Sequence, residues 1–452
     1  ELGMRYVGQS WELSVRVPKT VSSTQELGEV FESAYRRRYE HVHELPIECV
    51  EMRVTVIGPV AGPVCSLGAG AATYPVKRTR QVYFDGAYYE TDIYDRNALP
   101  GSVIGPALIE EDGALTVLPP GWRLAVGQAR ELRLHPNARG AFVNTCQVNP
   151  ITLEVVCESL RAIVKEMPAS TIRASFSSAI YELDDFSCAL FNPQSDMVAQ
   201  SDDHPGHVMP MPWSVKCAME DFQGNIFPGD VLLLNDAYRG GTHLNDVTLL
   251  YPIFNDGELF IFPAVRAHWA DVGGMTPGSY SGLATSIYQE GVRIPPIKLY
   301  ERGKVNEGVM RLLLSNMRLP DERYGDLNAS LGACRVAEQR IEKILGKYGR
   351  TLVLDCICEN LDRSERRIRA RIQDLPDGEY CYEDYLEYYD GDVLDPVLMR
   401  LRLKVSGDQL TADFDGSSPQ VPGVVNSSLA VTGAGVFVAV KSTLDPQGPV
   451  NS

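Results

Sequence analysis

Apolar residues recur with a period of two along residues 1 to about 140 and then change to helical spacing, and this change restricts the fold more than any other feature of the chain. Residues 11–17 and 50–57 alternate apolar and polar side chains, as half-buried strands do. Shorter strand-like runs follow at 81–84, 107–110, 115–117 and 129–134, with a turn at Pro119-Pro120-Gly121. One helix is expected in this region, capped by Ser22 or Ser23 and carrying Leu27, Val30, Phe31, Ala34 and Tyr35 on one face. The small, glycine-rich stretch 61–75 reads as a loop and 135–140 as a linker. Beyond it, Val155, Leu160, Ile163, Val164 and Met167 predict a helix over 151–175, which Pro168 interrupts or kinks. Residues 186–300 mix strands and loops, 327–372 form a long helical region, and 380–389, 397–405 and 410–414 read as strands. The expectation is a multidomain, mixed α/β (α+β) protein. A β-rich domain over 1–140 precedes a larger mixed α/β domain over 141–452 that contains the long helical region.

Composition excludes several classes of function. Lys plus Arg is 42 against 59 Asp plus Glu, a net charge of −17, which argues against nucleic acid and against an anionic membrane surface. No apolar run approaches the roughly 20 residues that a membrane helix needs, and no signal peptide is visible. The ten cysteines are scattered without a C-x-x-C pair, so reduced thiols in a cytoplasmic protein are expected. Cys188, inside an apolar run, reads as a buried inert thiol. His41 and His43 lie in a charged stretch and are expected to be solvated. Both ends interrupt patterned sequence, so a fragment of a longer chain is expected.

The strongest chemical pattern is Gly240-Gly241-Thr242-His243-Leu244-Asn245-Asp246, which follows the apolar run Val231-Leu232-Leu233-Leu234. After a further strand pair comes Arg266-Ala267-His268-Trp269-Ala270-Asp271. Two imidazoles and a carboxylate, His243, His268 and Asp246, are the donor set of open divalent sites for Mn, Zn or Fe. On spacing alone, hydrogen-bonded structural histidines are the stronger reading of the two. His207, in His204-Pro205-Gly206-His207, is a candidate catalytic residue lining the same cleft. Glu290 and Asp271 are candidate acid–base residues, and Arg239 and Arg266 candidate anion or substrate ligands. Neither a phosphate-binding G-x-x-x-x-G-K-[ST] loop nor a G-x-S-x-G elbow occurs.

Taken together, the motifs at 149–155, 185–191, 228–231, 235–247, 266–274, 288–296 and 410–422 resemble the B component of the hydantoinase/oxoprolinase family. That family includes subunits of acetone- and acetophenone-type carboxylases. Met4-Arg5-Tyr6-Val7-Gly8-Gln9-Ser10, with 105–111 and 117–122, is similar to the C-terminal tail of the partner A component. The resemblance implies an A–B fusion, with a nucleotide-binding domain upstream that would hold ATP and Mg, and more of the B component downstream. It implies metal binding through His243, Asp246 and His268. It also implies ATP-dependent hydrolysis of a cyclic amide such as 5-oxoproline, hydantoin or a similar lactam, by way of a phosphorylated intermediate and metal-activated water. ATP-dependent carboxylation of a ketone is the alternative, because 202–207 is similar to carboxylase-like relatives. A non-catalytic structural subunit is a second alternative. The expected partners are the small-molecule substrate and the rest of the A and B components, in an oligomer.

Overall fold

A run such as Val231–Leu234, with no polar face, fits a strand that is covered on both sides. In the computed structural model, residues 1–18, 20–39, 41–54, 78–84, 87–127, 131–136, 148–390, 393–446, 448, 450 and 451 are described. The run lies inside an eight-stranded sheet. The strand order is Met197–Gln200, Phe186–Phe191, Glu258–His268, Asp246–Leu250, Val231–Leu234, Ile297–Glu301, Lys304–Val305, with Ile253–Asn255 paired to Glu258–His268. All of these pairings are antiparallel.

Both faces of the sheet are buried, which explains why its strands read as continuous apolar runs. On one face Cys188, Leu190, Val247, Leu249 and Val265 share a core with Val156, Leu160, Ile163 and Val164 of helix Pro150–Ala174. Leu327, Leu331 and Cys334 of helix Pro320–Tyr348 join the same core. On the other face Phe191, Leu232, Leu250 and Phe262 pack with Met211, Val215 and Ala218 of helix Met211–Asp221 and with Ala434 of helix Leu429–Leu444. The result is a sheet between two helical layers, a mixed α/β architecture as expected.

Three local expectations change. The helical region 327–372 is two helices, Pro320–Tyr348 and Arg350–Gln373, divided at Gly349 with φ +78°. Helix Pro150–Ala174 runs through Pro168 without ending, and Asn149 caps its start by accepting from Ile151 N at 2.8 Å. His41 and His43 are not solvated. His43 is buried, and the two Nε2 atoms stand 3.2 Å apart. The chain turns inward here because aromatic neighbours need cover: the His43 ring packs edge-on against Tyr6, Tyr35 and Phe176.

The chain divides into two compact units, Glu1–Val54 with Val148–Ser452, and Thr55–Gln147. The sequence texture instead changes near residue 140. In the first unit, strands Leu13–Val15, Leu2–Tyr6 and Ile47–Met52 and helix Thr24–Tyr39 enclose Tyr6, Phe31 and Tyr35 together with Ala174, Phe176 and Ala329. Strands Gly378–Leu386, Val397–Ser406 and Gln409–Asp413 form a further sheet. The second unit has a four-stranded and a three-stranded sheet around Val103, Ala107, Ile109, Leu118 and Leu124. The expected loop 61–75 and residues 55–57, 129–130 and 137–140 lie outside the described residues.

Candidate metal centre

Asp246 opens strand Asp246–Leu250 and pairs directly across the ladder with His268, the last residue of strand Glu258–His268. Sheet register therefore brings together residues 22 positions apart. The third member arrives through a tight loop. Asp236 caps the turn Ala237–Arg239 by accepting from Tyr238 N at 3.0 Å. Gly240 follows at φ +87°, where a Cβ would lie 2.4 Å from Ser214 N, so a side chain is excluded twice over. Asn235, fully buried, donates to Leu244 O at 2.6 Å and Val292 O at 3.0 Å and accepts from Ile294 N at 2.7 Å, fastening both sides of the loop.

These constraints aim His243 Nε2 at Asp246 Oδ1, 2.8 Å away. His268 Nδ1 stands 3.3 Å from the same oxygen and His207 Nε2 3.4 Å from it. Thr242 Oγ1 donates to the other carboxylate oxygen. One donor atom from each of His243, Asp246 and His268 lies within 4.8 Å of the others. Asp185 borders the group, with oxygens 3.5 Å from His207 Nε2 and 3.7 Å from His268 Nδ1. Asp185 O also accepts from His268 N at 2.9 Å. The exposed Tyr280 ring stands 5.7 Å from that of His243.

The electrostatics follow from burial and charge. Burial opposes ionisation of Asp246, but hydrogen bonds with His243 and His268 outweigh it and hold its carboxyl well below the usual range. Partial burial opposes the charged form of His243, yet Asp246, with Asp185 and Glu290, raises its basicity. Burial takes His207 down to about 4, so its ring is neutral at neutral pH. Its Nδ1 has no hydrogen-bond partner among the described residues. Two imidazoles converging beside an ionised carboxylate are the donor types that a divalent cation requires, and its binding at His243 would displace the proton that Asp246 favours there.

The other candidates are placed differently. Glu290 ends the short helix Ile287–Glu290, whose start carries a Ser286–Gln289 capping box, and its charge reaches His243. Asp271 does not join the cluster: its carboxylate is held by the Arg318 side chain at 2.7 Å and by Arg318 N, and Arg318 also donates to Gly273 O and Gly274 O. Asp271 thus clamps the 271–274 loop. Arg239 is ion-paired to Asp221. Arg266 is fully buried within the fold and hydrogen-bonded to protein groups, which leaves it no face for an anion. Cys188 is buried, and burial pushes its thiol well up. Asp185, Thr242 and Tyr280 were not singled out as site residues from sequence, since ordinary acidic, hydroxyl and aromatic positions carry no spacing signal.

Residues 149–452 match the family model for hydantoinase B/oxoprolinase, and residues 1–136 that for the hydantoinase/oxoprolinase C-terminal domain. The chain belongs to the hydantoinase B/oxoprolinase family. It is 36% identical over 304 residues to the beta component of caprolactamase from Pseudomonas jessenii, covering 67% of this chain and 52% of the relative. It is 38% identical over 285 residues to the B component of a putative D-/L-hydantoinase of Pseudomonas sp., covering 61% and 48%. The 5-oxoprolinase 1 of Arabidopsis thaliana matches all of this chain at 26% identity over 38% of its own length, so both regions occur there in one polypeptide. The crystal structure of the ATP-dependent caprolactamase from P. jessenii superposes with a TM-score of 0.64 at 35% identity, covering 68% of this chain and 52% of that one. Acetone carboxylase shares the fold at a TM-score of 0.63 and 20% identity, covering 67% and 42%. The chain spans about half the length, or less, of the curated relatives it matches.

Proposed function

We propose that this chain is part of an ATP-dependent cyclic-amide hydrolase and contributes its metal centre. The observation that carries this reading is the convergence of His243, Asp246 and His268 on one point. The names of the relatives, caprolactamase, hydantoinase and 5-oxoprolinase, supply the substrate class. A lactam carbonyl is a poor electrophile because nitrogen donates into it. Phosphorylation of its oxygen by ATP, bound by another part of the enzyme, would activate the ring carbon: one water adds there, the C–N bond breaks to leave an amine and an acyl phosphate, and a second water releases phosphate and the ring-opened acid. His243, Asp246 and His268 would hold a divalent cation such as Mn, Zn or Fe, which polarises bound water or a bound oxygen.

In this reading the chain's own residues bind and move protons. Glu290, whose charge reaches His243, accepts the proton of the attacking water. His207, neutral and buried, fixes the Asp246 carboxylate from behind. Asp271 shapes the loop that borders the site. A second reading, ATP-dependent carboxylation of a ketone, is favoured by the segment His204–His207, because His207 reaches the cluster. The deciding experiment uses the intact enzyme with ATP and a panel of 5-oxoproline, hydantoin and caprolactam, run with and without labelled bicarbonate and a ketone. Ring-opened acid with ADP is expected. Label from bicarbonate fixed into the ketone, with every ring untouched, would replace the first reading by the second.

A further inference from the structure

We propose that Arg266 is the positioning residue of this centre: its buried guanidinium fastens the three segments that carry His207, His243 and Asp246, so that their donor atoms converge before a cation arrives. The inference rests on the metal reading above. Side chains two apart on a strand share a face, so Arg266 lies directly behind His268, and Thr248 behind Asp246. The ladder pairs Thr248 with Arg266, just as it pairs Asp246 with His268.

From that position Arg266 reaches the segments that carry His207, His243 and Asp246, and Ser214 of helix Met211–Asp221. Nε donates to Thr248 Oγ1 at 2.8 Å, Nη1 to His207 O at 3.0 Å, and Nη2 to Ser214 Oγ at 2.6 Å and to Gly240 O at 3.3 Å. Ser214 Oγ in turn donates to Gly240 O at 2.6 Å, which closes the frame over the loop that delivers His243.

The position is costly as a purely structural choice. Arg266 is fully buried, and among the described residues no carboxylate lies within ion-pair distance of it. The layer beside it is apolar, with Leu250, Phe262, Ala264, Val208 and Met211, so an apolar side chain would fill the volume without burying a charge. What an apolar residue cannot do is donate in four fixed directions to the site-bearing segments. Burial lowers its basicity only to about 10, and it stays charged at neutral pH, facing Asp246.

The test loads the intact enzyme with Co(II) and reads affinity by chelator competition together with the visible ligand-field spectrum. Arg266→Met is expected to bind Co(II) about 10–100-fold more weakly, with altered bands, while its metal-free form keeps its fold by circular dichroism. Arg266→Lys, which keeps the charge but not the fork, should recover only part of the affinity. Thr248→Val and Ser214→Ala each remove one strut, and smaller losses of affinity are expected. A folded Arg266→Met with wild-type affinity and spectrum would overturn the proposal. Should Arg266→Met not fold, wild-type spectra and affinity in both strut variants would do the same. The metal reading itself fails, separately, when wild type and His243→Ala bind Co(II) alike.

Discussion

At Asp246 three imidazole nitrogens approach one carboxylate oxygen, at 2.8, 3.3 and 3.4 Å. A neutral amide cannot supply the charge that this arrangement is built around. Asp246→Asn is therefore expected to lose metal by on the order of 100-fold or more, at the upper end of what changes around a site produce, measured by elemental analysis after dialysis. Glu290→Gln should behave differently. It should keep its metal but lower kcat on the order of 100-fold, as loss of a proton acceptor does, and equal turnover would remove Glu290 from the mechanism. The trio was singled out in the sequence because two imidazoles and a carboxylate are metal-donor types, though on spacing alone structural histidines were the stronger reading and only the family resemblance tipped it toward a metal. The roles of the arginines and Asp271 were not legible there. Sequence does not distinguish a guanidinium that meets solvent from one locked in a core, and Asp271 found Arg318 from 47 residues away.

The loop between strands Val231–Leu234 and Asp246–Leu250 has almost no latitude. Replacing Gly240 by Ala puts a methyl group 2.4 Å from Ser214 N at a left-handed φ. A loss of about 1–3 kcal/mol is expected from the backbone strain alone, read by urea denaturation, with weaker metal binding from the displaced His243. The segment after helix Thr24–Tyr39 gives a second prediction. Burial holds His41 at about 4 and His43 at about 3, with Tyr6, Tyr35 and Arg335 around them, against the usual 6.5. The unfolded chain binds these protons first as pH falls, so stability is full above about pH 6.5 and declines toward pH 4. Denaturation midpoints across that range should show the slope, and a His41→Gln, His43→Gln double variant should flatten it. These elements were partly legible: the helix was predicted from its apolar spacing, whereas the inward turn of the two histidines depends on aromatic rings at Tyr6 and Phe176, far apart in sequence.

For the whole molecule, a cation bound only by the native state adds stability. At 100 times its dissociation constant, the metal should raise unfolding free energy by about 2.7 kcal/mol and shift the thermal midpoint upward. Chelation should reverse the shift, and His243→Ala should show none; a midpoint that ignores metal in wild type would argue for structural histidines. The net charge of −17 disfavours binding a polyanion, and among the described residues no helix is long and apolar enough to cross a membrane.

Periodicity and composition determined, without any structure, that this chain alternates strands with long helices, that its charge repels polyanions, and that His243, Asp246 and His268 carry donor chemistry. Those are properties of residue order, readable because strand and helix periods differ and because ligand atoms belong to residue types. Tertiary structure decided which groups meet. Antiparallel register set Asp246 opposite His268, Gly240 delivered His243, and Arg266 was drawn into the core while Asp271 was spent on a loop. Such outcomes depend on long-range pairing and on where water is excluded, and neither is encoded in local spacing.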